Sequence, residues 1–400
     1  MNILYARQPF PTSTTSSIFL AGPTPRDEVT PSWRPEAIRI LRELGFEGLV
    51  FVPEPADGKW DGDDLDKWRD QVEWEEEALN RADVIVFWIP RSLPNMLGLT
   101  TNDEWGVWKD SGKVILGTSP EAVAVKYQRY YANKYRVSTN TDLTETLKNA
   151  LARIEFFGGP TLRSEGVATI PLHVYNTPEF RQWLNRLEDT GNRLLSGRVV
   201  HSHWLPSKHL FSWGLSANIW VAREQKVKSN EIVTGRPPVS SVLLHGPIHI
   251  PWEETKVVLI REFRSNVNNP DAMVCELPGG SNFRENRTPL MTAVSEVEEE
   301  VGLVLNPDRF LPVMSRQVFP TFSTHRVSLF RVELTEEEID SVGNSNQSYG
   351  VAEEGETTFP TVMTVREAMW GNRADWSTLG MILSSIPFVG SETDREGLPG

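Results

Sequence analysis

Four short apolar runs, separated by stretches of helix length, constrain the first third of this chain more than any other feature. Ile18-Phe-Leu-Ala-Gly22, Leu49 to Pro53, Ala82-Asp-Val-Ile-Val-Phe-Trp-Ile89 and Lys113 to Gly117 read as buried strands. Between them, Trp33 to Leu44 places Ala37, Ile40, Leu41 and Leu44 on one helical face, with Gly45 as a natural stop. Leu65, Trp68, Val72 and Leu79 mark a second amphipathic helix that carries many carboxylates. Strands alternating with helices imply an α/β domain with a parallel sheet, whose ligands collect at the C-terminal strand ends.

That pattern holds over residues 1–155. A chain of 400 residues is too long for one ordinary core, so two or three domains are expected at roughly 150 residues each. Residues 156–205 are Gly- and Pro-rich at their flanks. They contain a helix starting at Thr177-Pro178 with Phe180, Trp183, Leu184 and Leu187 at helical spacing, and they read as a packed connector. From 206 to 400 the pattern is α+β. Strands are expected over 215–221, 240–244, 256–261 and 326–334, with one well-marked helix between the last two and a closing helix near 365–370.

The remaining composition narrows the partners. Acidic residues number 54 against 40 basic, a formal net charge of −14, which disfavours a nucleic acid polymer because that affinity comes from cations neutralising phosphates. Single nucleotides remain compatible, since a carboxylate-held cation can bridge to phosphate. One cysteine, Cys275, forms no intrachain disulfide and no cysteine-based zinc site. No apolar h-region opens the chain and no run of about 18 apolar residues appears, so a cytoplasmic protein without a membrane contact is expected. The seven histidines lack metal-ligand spacing, with His201 and His203 read as a surface pair. No phosphate-binding Gly-x4-Gly-Lys loop and no Gly-x-Ser-x-Gly elbow is present. Tyr127, Tyr130 and Tyr131 share a helix and are expected in the core.

Two segments carry chemistry. The first strand ends in Phe19-Leu-Ala-Gly-Pro23, where Gly22 allows close approach of a ligand to the backbone and Pro23 ends the strand at the pocket edge. Further on, Gly98-Leu-Thr-Thr-Asn-Asp-Glu-Trp-Gly106 sets Glu104 beside Gly106, expected at a second strand-to-helix crossing. A carboxylate there could attack an anomeric carbon. The structural alternative is a capping box, Thr101-x-x-Glu104, in which the glutamate only satisfies a backbone donor.

Over residues 15–140 these motifs resemble the nucleoside 2-deoxyribosyltransferases and the related nucleotide N-glycoside hydrolases. The resemblance implies a flavodoxin/Rossmann-like domain with Glu104 as the catalytic glutamate of a Glu-x-Gly sequence. It also implies Asp83 as a second functional carboxylate, against a strand-edge alternative. Phe19, Gly22, Pro23 and Gly106 fall at its substrate-binding positions, and Arg26 could hold a 5′-phosphate or be a solvated surface arginine. Relatives of this kind usually assemble, so a homo-oligomer is expected. Phe19 stands where the transferases usually have Tyr, and Leu99-Thr-Thr-Asn102 replaces the usual Asp-x-Gly-Thr, which leaves transfer versus hydrolysis open.

The second segment runs from Leu277-Pro-Gly-Gly280 through Thr288-Pro289 to Gly302-Leu303. Thr288 suits an N-cap, Pro289 the first helical position and Gly302 the stop, while Leu290, Ala293, Val294, Val297 and Val301 form the buried face. Glu296, Glu299 and Glu300 cluster on another face, where three carboxylates repel unless a cation such as Mg2+ or Mn2+ lies among them. Without a cation they are a solvated acidic face. The segment resembles the Nudix box, Gly-x5-Glu-x7-Arg-Glu-apolar-x-Glu-Glu-x-Gly-apolar, at Gly280, Glu296, Val297, Glu299, Glu300, Gly302 and Leu303. Its loop is one residue longer, Arg287 or a displaced Glu285 takes the first Glu position, and Ser295 replaces the Arg. Arg261-Glu-Phe-Arg264 followed by Glu276-Leu-Pro-Gly-Gly280 is similar to the ADP-ribose pyrophosphatase branch. That resemblance implies an α/β/α sandwich, metal on Glu296, Glu299 and Glu300, substrate contacts from Arg261 and Gly280, and a late-loop general base, Glu356 or Glu354. The sequence thus points to a bifunctional nucleotide-metabolising enzyme acting on a small-molecule nucleotide. A nucleotide-sensing protein with an inactive Nudix-like domain is the alternative, and activity of the Nudix-like domain alone is a third reading.

Overall fold

The computed structural model describes residues 1–25, 29–56, 65–205, 209–249, 251–281, 287–345, 347–350 and 357–386. The chain forms two compact units, Met1–Gly235 and Arg236–Gly400.

The first unit is built on a six-stranded, wholly parallel sheet. Its elements are β1 (Asn2–Tyr5), the short β2 (Ser13–Thr14), β3 (Ser17–Ala21), α1 (Arg34–Glu43), β4 (Leu49–Val52) and α2 (Leu65–Arg81). β5 (Val84–Trp88), α3 (Leu99–Trp108), β6 (Val114–Gly117), α4 (Lys126–Lys134), β7 (Ser138–Asn140) and α5 (Leu143–Phe156) follow. The strand order is β1-β4-β3-β5-β6-β7. All four apolar runs are strands. β1 was not expected, because the opening segment is polar; it survives as a half-exposed edge strand paired with β4.

Side chains alternate across this sheet, as the pleat requires. Ile18, Leu20, Val50, Val84 and Val86 face α1 and α5, whereas Phe19, Ala21, Phe51, Ile85 and Phe87 face α2, α3 and α4. Both faces are covered, which is why the strands read as continuous apolar runs. From β3 the chain runs to β4 on one side, then crosses back to β5 on the other. The gap between the C-terminal ends of β3 and β5 is therefore the topological switch point, the place where open α/β sheets hold ligands.

The expected connector and the strands after it do not divide as the sequence suggests. β8 (Arg163–Ser164) pairs with β2, and α6 (Leu172–Tyr175) and α7 (Pro178–Asp189) follow. β9 (Arg193–Trp204), β10 (Leu210–Val221) and β11 (Lys226–Gly235) form an antiparallel sheet in the order β11-β10-β9. Ile170, Val174, Phe180 and Leu184 share one core with Leu194, Trp213, Leu215 and Ala217. The helix at Thr177-Pro178 thus needs β10 to cover its apolar face, so these strands belong to the first unit and the division falls at Gly235 rather than near residue 206.

The second unit contains β12 (Val239–His245), β13 (Lys256–Phe263), β14 (Met273–Glu276), β15 (Gly279–Ser281) and α8 (Pro289–Val301). β16 (Leu311–Gln317), β17 (Arg326–Glu333), α9 (Glu336–Gly343), β18 (Thr358–Thr364), α10 (Val365–Trp370) and α11 (Trp376–Ser385) complete it. Its seven strands form a mixed sheet in the order β14-β13-β12-β17-β16, with β15 on β12 and β18 on β13. The β12–β17 pair is parallel. Val242, Leu244, Val258 and Ile260 pack under α8 and α9, while Leu243, Val257 and Leu259 pack under α10 and α11. Helices therefore cover both faces. Thr288 accepts the Met291 N–H at 3.2 Å, Pro289 opens α8, and Gly302 closes it at φ +76°.

Candidate active site

At the switch point, Gly22 follows β3 at φ +152°, and a Cβ there would lie 2.1 Å from the Trp88 carbonyl oxygen. Only glycine lets the two strand ends come together. The Trp33 indole N–H donates to the Pro23 carbonyl at 3.2 Å, fixing the turn against the start of α1.

Arg34, the first residue of α1, is buried beneath this turn. It donates to the carbonyls of Leu20 (3.0 Å) and Gly22 (2.7 Å), to Thr24 Oγ1 (3.1 Å) and to Glu54 Oε1 (2.5 Å). No sequence motif marks it. One signal was available: a cation at a helix N-terminus opposes the dipole and needs compensating partners.

Glu104, half-buried on α3, is within electrostatic reach of Arg34. Burial pushes its carboxyl up to about 8, the nearby Glu75 carboxylate adds to the rise, and the Arg34 guanidinium opposes it. Glu75, on α2, is likewise raised, chiefly by burial, while the Gln71 amide donating to it at 2.6 Å and the Arg34 charge pull the other way. Glu104, Glu75 and Arg34 therefore form one electrostatic group drawn from α3, α2 and α1. Glu75 was hidden among the many carboxylates of α2, and only the fold distinguishes the one that turns towards Glu104.

The capping-box alternative for Glu104 does not form. α3 begins at Leu99 behind Gly98, which is in the left-handed region at φ +63° and makes no side-chain cap, so Thr101 and Glu104 lie inside the helix. Gly106 is also within α3, exposed, with nothing within 4 Å of a hypothetical Cβ, so it marks no strand-to-helix crossing. Phe19 is fully buried in the α2–α3 core and presents no face to a ligand.

Asp83 stands at the other end of the sheet, just before β5, roughly 16 Å from the switch point at about 3.3 Å per residue. It is completely buried and paired with the equally buried Arg163, Nη2 to Oδ2 at 2.6 Å. It also accepts the Ser17 N–H (2.7 Å), the Ser17 hydroxyl (3.0 Å) and the Leu172 N–H (2.7 Å). All of these partners lie away from the switch point. Arg26 lies outside the described residues. Tyr127 and Tyr130 are exposed on α4 rather than in the core, and His201 and His203 are an exposed, stacked pair.

In the second unit, α8 lies against β15. The buried Glu300 carboxylate accepts the Gly279 N–H at 2.7 Å, and a Cβ on Gly280 would lie 2.2 Å from Glu296 Oε1. Glu299 is exposed. Glu300 thus braces the Gly279-Gly280 strand with Glu296 close beside it, and among the described residues no three acidic, histidine or cysteine side chains group as a metal site. The donor set as placed does not fit a three-carboxylate Mg2+ or Mn2+ site. Ser295 donates its hydroxyl back to the Thr292 carbonyl at 3.1 Å and so cannot substitute for an orienting arginine. Arg261 sits on β13 with its guanidinium 5.8 Å from the Phe359 ring. Glu285, Glu354 and Glu356 lie outside the described residues.

The first unit therefore combines a parallel α/β layer, with Glu104, Glu75 and Arg34 grouped near its switch point, and an antiparallel three-stranded sheet. Residues 15–122 match the family described as Nucleoside 2-deoxyribosyltransferase like, which marks a nucleoside 2-deoxyribosyltransferase-like domain over those residues. Comparison with curated proteins finds no match. No helix among the described residues is long and apolar enough to cross a membrane.

Proposed function

We propose that the N-terminal domain breaks or exchanges the N-glycosidic bond of a nucleoside or nucleotide, with Glu104 as the group that meets the anomeric carbon. The convergence of Glu104, Glu75 and Arg34 at the switch point carries this reading. The ionised Glu104 carboxylate attacks C1′ on the face opposite the base. The C1′–N electron pair leaves with the base, which takes up a proton, and water or a second base then displaces the carboxylate. As positive charge grows at C1′, it offsets the burial and the Glu75 charge that hold the proton on Glu104. HPLC of a nucleotide and nucleoside panel tests this: Glu104→Ala abolishes base release, and intact release in that variant rejects the assignment.

For the second unit we propose a Nudix-like nucleotide-binding domain. The engagement of Glu300 by Gly279, together with Ser295, favours binding without turnover. Calorimetry with ADP-ribose tests it, and multiple-turnover, Mg2+-dependent cleavage overturns it. We also propose a homo-oligomer, supported by the exposed Leu99, Val107, Tyr127 and Tyr130 of α3 and α4; light scattering showing a monomer rejects it.

A further inference from the structure

A second cleft opens at the other end of the parallel sheet, by the N-terminal ends of β6 and β7, with a volume of about 590 Å3. That is within the range of roughly 300–1,000 Å3 typical of small-molecule sites. It lies wholly within the first unit, between the C-terminal ends of α3 and α4, the α5 helix and the end of β9.

Its charge runs against that of the chain. Lys109, Lys134, Arg136 and Arg153 line it against the single carboxylate of Asp110, in a protein whose formal net charge is −14. Among the described residues, Lys109, Lys134 and Arg153 make no salt bridge. Lys109 Nζ bonds the Gly106 carbonyl and lies 5.9 Å from the centre of the Tyr135 ring, while Lys134 Nζ lies 5.5 Å from that ring. Arg153 spends its bonds on the Gly112 carbonyl, Nε at 3.0 Å and Nη2 also, with no anion beside it. Burial lowers its guanidinium to about 10, the signature of a cation held without a counter-charge. Helix dipoles at the ends of α3 and α4 account for a lysine each. They do not account for Arg153 on the same cleft.

The walls are aromatic and fixed. Trp204 closes one side, its indole N–H donating to the Ser111 carbonyl at 3.3 Å and its ring lying where a Cβ on Gly112 would be, at 2.3 Å. Gly112 is in the left-handed region at φ +81°, so this seat depends on glycine. Arg153 sits over the Trp204 ring at 5.4 Å and over Phe156 at 4.9 Å, and Phe156 keeps half its surface exposed. Convergent cations beside a flat, exposed ring suit a ligand with a dianionic phosphate and a planar base.

We propose that this cleft binds a nucleoside monophosphate, with its phosphate on Lys109, Lys134 and Arg153 and its base against the exposed edge of Phe156. The site is separate from the Glu104 pocket, at the opposite end of the sheet, and does not depend on the role of Glu104. The test uses the full-length protein with 8-azidoadenosine 5′-monophosphate, mapping the photolabelled peptides, and calorimetry with adenosine 5′-monophosphate and adenosine. Saturable labelling between residues 134 and 156 is expected, with adenosine binding at least tenfold more weakly than its monophosphate. The double variant Lys109→Glu/Lys134→Glu should lose that label and weaken monophosphate binding at least tenfold, while base release is unchanged. No saturable label in this segment at millimolar ligand overturns the proposal, as does equal binding of adenosine. So does a label that survives the double variant, provided that variant melts at the wild-type temperature.

Discussion

Glu104 shows how one residue's chemistry depends on what is folded around it. A carboxyl held up to about 8 is protonated at neutral pH, yet attack on an anomeric carbon needs the anion. Base release should therefore rise with pH and level off above about 8. Glu75→Gln removes one of the charges that raise Glu104, so it should move that profile to lower pH while leaving Glu104→Gln inactive; an unmoved profile would show that Glu75 is not coupled to the reaction. The same shift has a stability consequence. Unfolded, Glu104 ionises near its ordinary value of 4.5; folded, it ionises near 8. The unfolded state thus sheds its proton first, and folding stability falls between those two pH values. Glu104→Gln should melt a few degrees above wild type at pH 8 and level with it below pH 4.5, as read by calorimetry.

Asp83 makes the opposite point at the same scale. In sequence it has the position of a functional carboxylate, but the fold buries it with Arg163 at the far end of β5. Asp83→Asn leaves Arg163 as an uncompensated buried cation and should cost about 3–5 kcal/mol of stability. Base release per folded molecule should not change. A loss of turnover in folded Asp83→Asn would return Asp83 to the chemistry.

The elements were the most legible level. β3, β4, β5 and β6 fall where continuous apolar runs place them, because burial on both sides leaves no polar positions to blur the signal. The caps of α8 were equally readable, since Thr288, Pro289 and Gly302 act on their own backbone. Edge and outer strands were not: β1, β9 and β11 mix exposed and buried positions without a clean alternation. At the β3 turn, Gly22→Ala places a methyl group against the Trp88 carbonyl and should destabilise the first unit by more than about 3 kcal/mol, the range of severe core and backbone effects. Denaturant melting checks this; a wild-type midpoint would mean that the strand ends can part.

At the scale of the molecule, the boundary at Gly235 makes a direct prediction. A fragment of residues 1–235 should fold and keep base release, because its three cores are complete. A fragment ending at residue 205 lacks β10 and β11 and uncovers Ile170, Val174 and Phe180, so it should aggregate or fail to melt cooperatively. Equal behaviour of the two fragments would show that the antiparallel sheet is dispensable.

By itself the sequence determined the local matters: where apolar runs become strands, which residues cap α8, and that Phe19 to Pro23 and Glu104 belong to a deoxyribosyltransferase-like segment. Each follows from neighbours within a few positions along the chain. Which carboxylate faces which cation was decided only by the tertiary structure, because Arg34, Glu75 and Glu104 come from three different helices. The same is true of Asp83, paired with Arg163 at the N-terminal end of its strand, and of Glu300, turned onto a backbone N–H. Ionisation and ligation depend on distances through space, and a spacing along the chain does not fix those.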